Sequence, residues 1–358
     1  MPRQLLLHIG VPKTGTTSIQ RALSAERAAL SRHGVCYLAG PGLPVPQFLH
    51  RAALAHGRRD TRMARFRHEL GRQLAAQPAD VGTVLLSAEQ CSLFLRSPAE
   101  IECLRAWLAP LFETIRIIIY LRRQDALASS LYAQMLRRGV VEPPALDTGR
   151  EELSALYDYA TLLERWAAVF GRAALVPRIF ERQSLPGGDV VQDFWQACGL
   201  AADLPERRAG TDINPSMSTQ GQALLLEVGR MLQAQGGTTP VRDAAWTRLA
   251  AMVTELYPGR GWQPSRTEAA SFMARYEAGN EAVRGTWFPD RSRLFNADGA
   301  DLPEAPVSLE NLPTLETASS VLMRALRDLI AAEAAIEGDS EVKRNSRRLQ
   351  RMQRERSA

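Results

Sequence analysis

His8-Ile9-Gly10-Val11-Pro12-Lys13-Thr14-Gly15-Thr16-Thr17-Ser18 is the stretch that decides how this chain is read. Leu5 to Ile9, which leads into it, is a short run, apolar but for His8, as a buried strand requires. Those after it, from about Thr17 to His33, place apolar residues at Ile19, Ala22, Leu23 and Leu30, which is helical spacing. Between the two, Gly10 and Gly15 let the backbone turn tightly. Successive N–H groups and the start of the next helix can then face an anion. Lys13 adds a point charge, and Thr16, Thr17 and Ser18 add hydroxyl donors. The spacing differs from the nucleotide-triphosphate loop GxxxxGK[ST], because the lysine precedes the second glycine and none follows it.

Further apolar runs lie at Val81–Ser87, Ile115–Leu121 and Ala174–Phe180. They are near-continuous rather than alternating, as strands buried on both faces must be. Helical patterns separate them, at about Thr61–Gln77, Pro98–Phe112, Asp125–Arg137 and Leu153–Phe170. The expected fold is therefore α/β, a P-loop-like parallel β-sheet flanked by helices, with ligands outside the C-terminal ends of the strands. Beyond about Ser184 helical patterns dominate: Val190–Cys198, Thr219–Gln235, Arg242–Tyr257, Arg266–Ala278 and Ala318–Ala335. This predicts a largely helical C-terminal cover. One domain is expected over residues 1–335, its α/β core reaching about 200 and the cover about 335, with a basic tail over 336–358. Gly40–Pro46 and Leu302–Leu315 read as Pro-rich connections.

Composition agrees with a folded globular chain: 358 residues, 45% hydrophobic, 23% charged. No stretch nears the roughly 18 apolar residues of a spanning helix, and the apolar run at the start is too short for a signal segment. The expected location is cytoplasmic. Cys36, Cys91, Cys103 and Cys198 show neither metal-ligand nor disulfide spacing and read as small buried hydrophobes. The net charge of +5 is uneven, since Asp339 to Ala358 holds seven basic residues against three acidic ones. Lysine occurs only at Lys13 and Lys343, which makes Lys13 conspicuous.

Pro12–Ser18, PKTGTTS directly after the first strand, resembles the 5′-phosphosulfate loop of the sulfotransferases that use 3′-phosphoadenosine 5′-phosphosulfate (PAPS). The resemblance implies that Pro12, Lys13, Thr14, Gly15, Thr16, Thr17 and Ser18 form the donor-binding loop. Lys13 would meet the bridging and sulfuryl oxygens, and Gly15 to Ser18 would hold the 5′-phosphate. In these enzymes an arginine ends a later strand, and a serine eight residues on joins it at the 3′-phosphate. Arg122 and Ser130 have that spacing. Weaker likenesses, at Asn214-Pro215-Ser216-Met217-Ser218, Asn280, Trp287-Phe288-Pro289 and Leu294-Phe295, extend the resemblance to about Phe295 and suit the bacterial members. The RKGxxG segment with which the animal small-molecule enzymes close over the donor is absent.

By the same resemblance, the sulfuryl group passes in line to an acceptor hydroxyl, on a carbohydrate or lipid-linked sugar, and a general base takes the proton. Two candidates stand. Glu89 follows the Val81–Ser87 strand, and His50 lies in the early insertion. His8 reads as a core histidine, while His33, His56 and His68 sit in polar surroundings. The implied co-substrate is PAPS, with no metal and no specific nucleic-acid partner. Alternatives are a nucleotide-dependent kinase, a non-catalytic nucleotide-binding protein, or a nucleic-acid binder acting through its tail. The tail could also lie against an anionic membrane at the inner face or mediate self-association.

Overall fold

The computed structural model describes residues 4–39, 43, 45–56, 60–200, 216–234, 244–296, 299–305 and 307–309. Five strands, β1 (Gln4–His8), β2 (Val35–Tyr37), β3 (Thr83–Ser87), β4 (Thr114–Leu121) and β5 (Leu175–Ile179), form one sheet in the order β2-β3-β1-β4-β5. Every pairing is parallel. The α/β expectation therefore holds, and all five C-terminal ends share one edge. β1 lies in the middle, with Leu5, Leu6 and Leu7 at most 1% exposed. A strand covered on both faces has no polar side to alternate with, hence its unbroken apolar run.

The helices are α1 (Thr16–Ala25), α2 (Arg27–Arg32), α3 (Val45–Leu54), α4 (Thr61–Ala75), α5 (Gln90–Phe94), α6 (Pro98–Leu108), α7 (Gln124–Arg137), α8 (Glu151–Tyr157), α9 (Tyr159–Phe170), α10 (Val190–Cys198), α11 (Thr219–Ala234), α12 (Ala244–Leu256), α13 (Arg266–Ala274) and α14 (Glu277–Trp287). Several refine the expected boundaries. The pattern from Thr17 to His33 breaks at Glu26, which caps α1 through its N–H to the Ala22 carbonyl. The pattern from Leu153 to Phe170 breaks at Asp158, whose carboxylate accepts the Thr161 N–H and starts α9. α6 tightens into a 3₁₀ turn at Ala109–Leu111, where Pro110 supplies no N–H for another α turn. α10 begins and ends where the sequence placed it, between the Asp189 cap and the left-handed Gly199.

Three elements are corrections. β2 has only three residues, too few for a periodic signal. α3 occupies the end of what reads as a Pro-rich connection, since Pro46 is tolerated in the first turn. α5 is a five-residue helix directly behind β3. Of the cysteines only Cys91 is fully buried by exposure, while Cys36, Cys103 and Cys198 are half-buried.

A buried polar group joins β4, β5 and α10. The Tyr120 hydroxyl donates to Asp193 Oδ2 at 2.7 Å, and Arg178 Nε donates to the same oxygen at 2.9 Å while its Nη2 reaches Oδ1. Asp193 is 2% exposed, so this pairing is what makes a carboxylate tolerable there.

The chain divides into two compact units. The first comprises Met1–Leu131, Ala145–Asn214 and Gln263–Pro306, and holds the sheet; the second comprises Tyr132–Pro144, Pro215–Trp262 and Val307–Ala358. Within the second unit, Ser218 caps α11 through the Gly221 N–H, Trp246 Nε1 donates to the Leu136 carbonyl, and Gln222 accepts the Trp262 N–H. The helix expected at Ala318–Ala335, the basic tail, and Asn214 and Pro215 lie outside the described residues. Among the described residues no helix is long and apolar enough to cross a membrane.

Candidate functional site

The loop between β1 and α1 is shaped by its own residues. The Thr14 hydroxyl, fully buried, donates to the Val11 carbonyl at 2.6 Å and closes the turn. Lys13 has φ 66°, in the left-handed region where a side chain is strained. Gly15 has φ 80°, and a Cβ there would sit 2.7 Å from Val190 Cγ1 on α10. Gly15 is thus required both by conformation and by space. It precedes α1 without any side-chain cap, so the first helical N–H groups keep their full capacity for an external acceptor. Thr16 is 4% exposed, and its hydroxyl has no hydrogen-bond partner among the described residues. Thr17 is exposed and Ser18 half-buried, while Pro12 is buried in the loop wall.

Arg122 stands at the end of β4, the strand beside β1. Its Nη1 donates to the Lys13 carbonyl at 2.8 Å, across 109 residues of chain. The guanidinium lies 5.7 Å from the centre of the Phe180 ring, and the Arg122 carbonyl accepts the Tyr159 hydroxyl at 2.5 Å. Burial lowers the Arg122 pKa and pushes that of Tyr159 up. Asp125 pairs with Arg123 at 3.2 Å, and its charge also acts on Arg122, which is in no ion pair among the described residues. A cation so placed favours an incoming anion. Ser130 lies in the second turn of α7, half-buried.

The third face comes from β3. The Ala88 N–H donates to the His8 carbonyl at 2.8 Å, and Ser92 Oγ donates to the Gly10 carbonyl at 2.8 Å. Glu89 lies between these anchors at the start of α5, half-buried beside the loop. His50 is on α3, 6% exposed, stacked on Phe94 of α5 at 4.9 Å. Burial, with Arg51 nearby, lowers its pKa to about 4, so it is neutral at pH 7 and weakly basic. The two candidate bases thus stand at opposite ends of one short helix.

The distal segments converge on the same edge. Gln124 and Asn280 exchange amide hydrogen bonds at 2.7 and 3.2 Å, fastening α14 to the start of α7. Phe295 packs edge-on against Tyr159 at 6.2 Å, and Glu181 accepts the Asn296 N–H and Arg291 Nη2. Tyr159, Phe180 and Glu181 gave no local sequence signal for these roles, because each works through a partner far away in the chain. Among the described residues no group of three or more His, Cys, Asp or Glu is arranged to hold a metal.

No family model matches the chain. A stretch of 104 residues is 36% identical to an uncharacterised protein of Archaeoglobus fulgidus, covering 29% of this chain and 27% of that protein. The chain therefore matches well under two thirds of that curated relative. Among solved structures, a sulfotransferase from Alicyclobacillus acidocaldarius is similar with a TM-score of 0.38 and 16% identity, over 69% of this chain and 99% of that one. The class defined by the fold is an α/β protein with a glycine-bounded loop at the C-terminal edge of a parallel sheet.

Proposed function

We propose that this chain is a sulfotransferase that takes PAPS as its sulfuryl donor. The observation that carries the reading is the hydrogen bond from Arg122 to the Lys13 carbonyl. It joins two segments, far apart in sequence, that the resemblance assigns to the two phosphate ends of one donor. Lys13, the α1 N–H groups and Thr16 to Ser18 would hold the 5′-phosphosulfate, and Arg122 with Ser130 the 3′-phosphate. The Thr16 hydroxyl, without a hydrogen-bond partner among the described residues, and the Arg122 guanidinium, held at the loop by the Lys13 carbonyl, suit that load.

In the proposed reaction, the acceptor hydroxyl oxygen attacks sulfur as the bond from sulfur to the bridging phosphate oxygen breaks. Lys13 and the loop amides stabilise the charge gathering on the departing phosphate, and Glu89 accepts the acceptor's proton. The products are a sulfate ester and 3′-phosphoadenosine 5′-phosphate. Glu89 is favoured over His50 because it lies beside the loop, between Ala88 N bonded to His8 and Ser92 bonded to Gly10. A saccharide hydroxyl is the acceptor class we propose.

Calorimetric titration with 3′-phosphoadenosine 5′-phosphate, without metal, tests the reading. Binding that Arg122→Ala weakens at least tenfold and that ATP does not match supports it. A preference for ATP with magnesium, or no binding, overturns it.

A further inference from the structure

His8, the last residue of β1, is 0% exposed and lies directly under the loop. Its Nδ1 is 2.9 Å from Ser87 Oγ, and Gln20 of α1 reaches the same hydroxyl with Nε2 at 3.2 Å and the Ser87 carbonyl at 3.5 Å. A carbonyl only accepts, so the Gln20 amide presents its nitrogen to Ser87. With Gln20 donating to Ser87 Oγ, the hydroxyl proton of Ser87 is available for His8 Nδ1. The network accommodates the tautomer that carries its proton on Nε2, with Ser87 Oγ–H donating to Nδ1.

That Nε2 has no hydrogen-bond partner among the described residues, and neither does Thr16 Oγ1; both are buried. They face one spot. A Cβ built on Gly10 would lie 2.7 Å from His8 Nε2 and 3.1 Å from Thr16 Oγ1. Burial lowers the His8 pKa to about 3, so the ring stays uncharged at neutral pH and acts as a fixed dipole, not as a base. Tyr120 and Phe194 hold it edge-on at 5.9 and 5.4 Å. Two unsatisfied polar atoms beside the same glycine each carry a desolvation cost that a shared hydrogen bond would remove.

We propose that His8 is a positioning residue for the loop's anion: as the anion binds, Thr16 Oγ1 closes on His8 Nε2 and accepts its N–H, a bond not formed among the described residues, so that the Thr16 hydroxyl proton points at the phosphate. The chain of donors then runs Gln20, Ser87, His8, Thr16, anion, so that β3 and α1 jointly orient one hydroxyl. The proposal rests on the reading of the loop as a phosphate site, but not on which nucleotide occupies it.

Nuclear magnetic resonance of ¹⁵N-histidine-labelled protein tests it directly, with His8 assigned by a His8→Gln variant. The expected result is the Nε2–H form from pH 5 to 9, with the Nε2 resonance shifting on saturation with 3′-phosphoadenosine 5′-phosphate and failing to shift in Thr16→Val. His8→Phe should weaken binding about tenfold, at the upper end for one neutral hydrogen bond, whereas His8→Gln, which keeps a donor near Nε2, should stay within about threefold. An Nδ1–H form, an unmoved Nε2 resonance on saturation, or equal losses in Phe and Gln variants would overturn it. If His8→Phe does not fold, the wild-type and Thr16→Val spectra decide. ATP and inorganic pyrophosphate run in parallel: if only these bind, the donor assignment fails while the His8 proposal is judged on their spectra, and if nothing binds, both fail.

Discussion

Lys13 offers a perturbation in which stability and binding should move in opposite directions. Its φ of 66° places a lysine in the left-handed region, at about 1–2 kcal/mol for a residue with a Cβ. Lys13→Gly removes that strain but adds roughly 0.5–1 kcal/mol of unfolded-state entropy, leaving a net gain of about 0.5–1 kcal/mol. Lys13→Ala retains the strain and should remain within about 0.5 kcal/mol of wild type. Both remove the ammonium, and a charged hydrogen bond to the ligand is worth about 1.5–3 kcal/mol. Each should therefore weaken binding of 3′-phosphoadenosine 5′-phosphate by about 10- to 150-fold. Urea unfolding and calorimetry on the two variants make the measurement. A Lys13→Gly protein less stable than Lys13→Ala would refute the strain argument, and undiminished binding in both would refute the role of the ammonium.

Other expectations address the scaffold and the chemistry. Asp193→Ala removes the acceptor shared by Tyr120 and the one-third-exposed Arg178 and should cost about 2–3 kcal/mol in urea unfolding, while Tyr120→Phe, losing one hydrogen bond, should cost about 1 kcal/mol. Gly15→Ala meets Val190 at 2.7 Å and should both destabilise the protein and weaken anion binding; adding Val190→Ala should recover only part of the stability, because φ 80° remains. His8 and His50 have folded pKa values of about 3 and 4 against 6.5 unfolded, so the unfolded chain binds more protons as pH falls below 6.5. Stability should thus be full above that pH and drop by roughly 2 kcal/mol per histidine by pH 5, visible as a lower urea midpoint. A midpoint unchanged between pH 7 and 5 would count against their burial as neutral rings. Once an acceptor is found, Glu89→Gln should lower kcat by about 10²–10⁴ while leaving donor binding within a few fold; a larger loss in His50→Gln would transfer the base to α3.

The sequence by itself determined the parts of this protein whose signal is local. The apolar runs of β1, β3 and the end of β4 are visible because a strand buried on both faces must be apolar throughout, whereas β5, read from sequence as buried on both faces, is an edge strand with Pro177 and Arg178 half-buried. The loop is visible because Gly10 and Gly15 bound it between strand and helix, and the end of α10 because Gly199 stops it. Lys13 and Arg122 were legible as candidates from residue type and spacing. What only the tertiary structure decided depends on partners that no window of sequence contains. β2 exists because β3 offers an edge, not because three residues demand a strand. The left-handed Lys13 is matched by a donor from the next strand, Arg122. Asp193, polar on a helix, is buried because Tyr120 and Arg178 come from two neighbouring strands. His8 was readable as a core histidine, yet its alignment with Ser87, Gln20, Gly10 and Thr16 arises only when β1, β3 and α1 pack together. Periodicity reports whether a residue faces inward, and packing alone decides which atom it meets there.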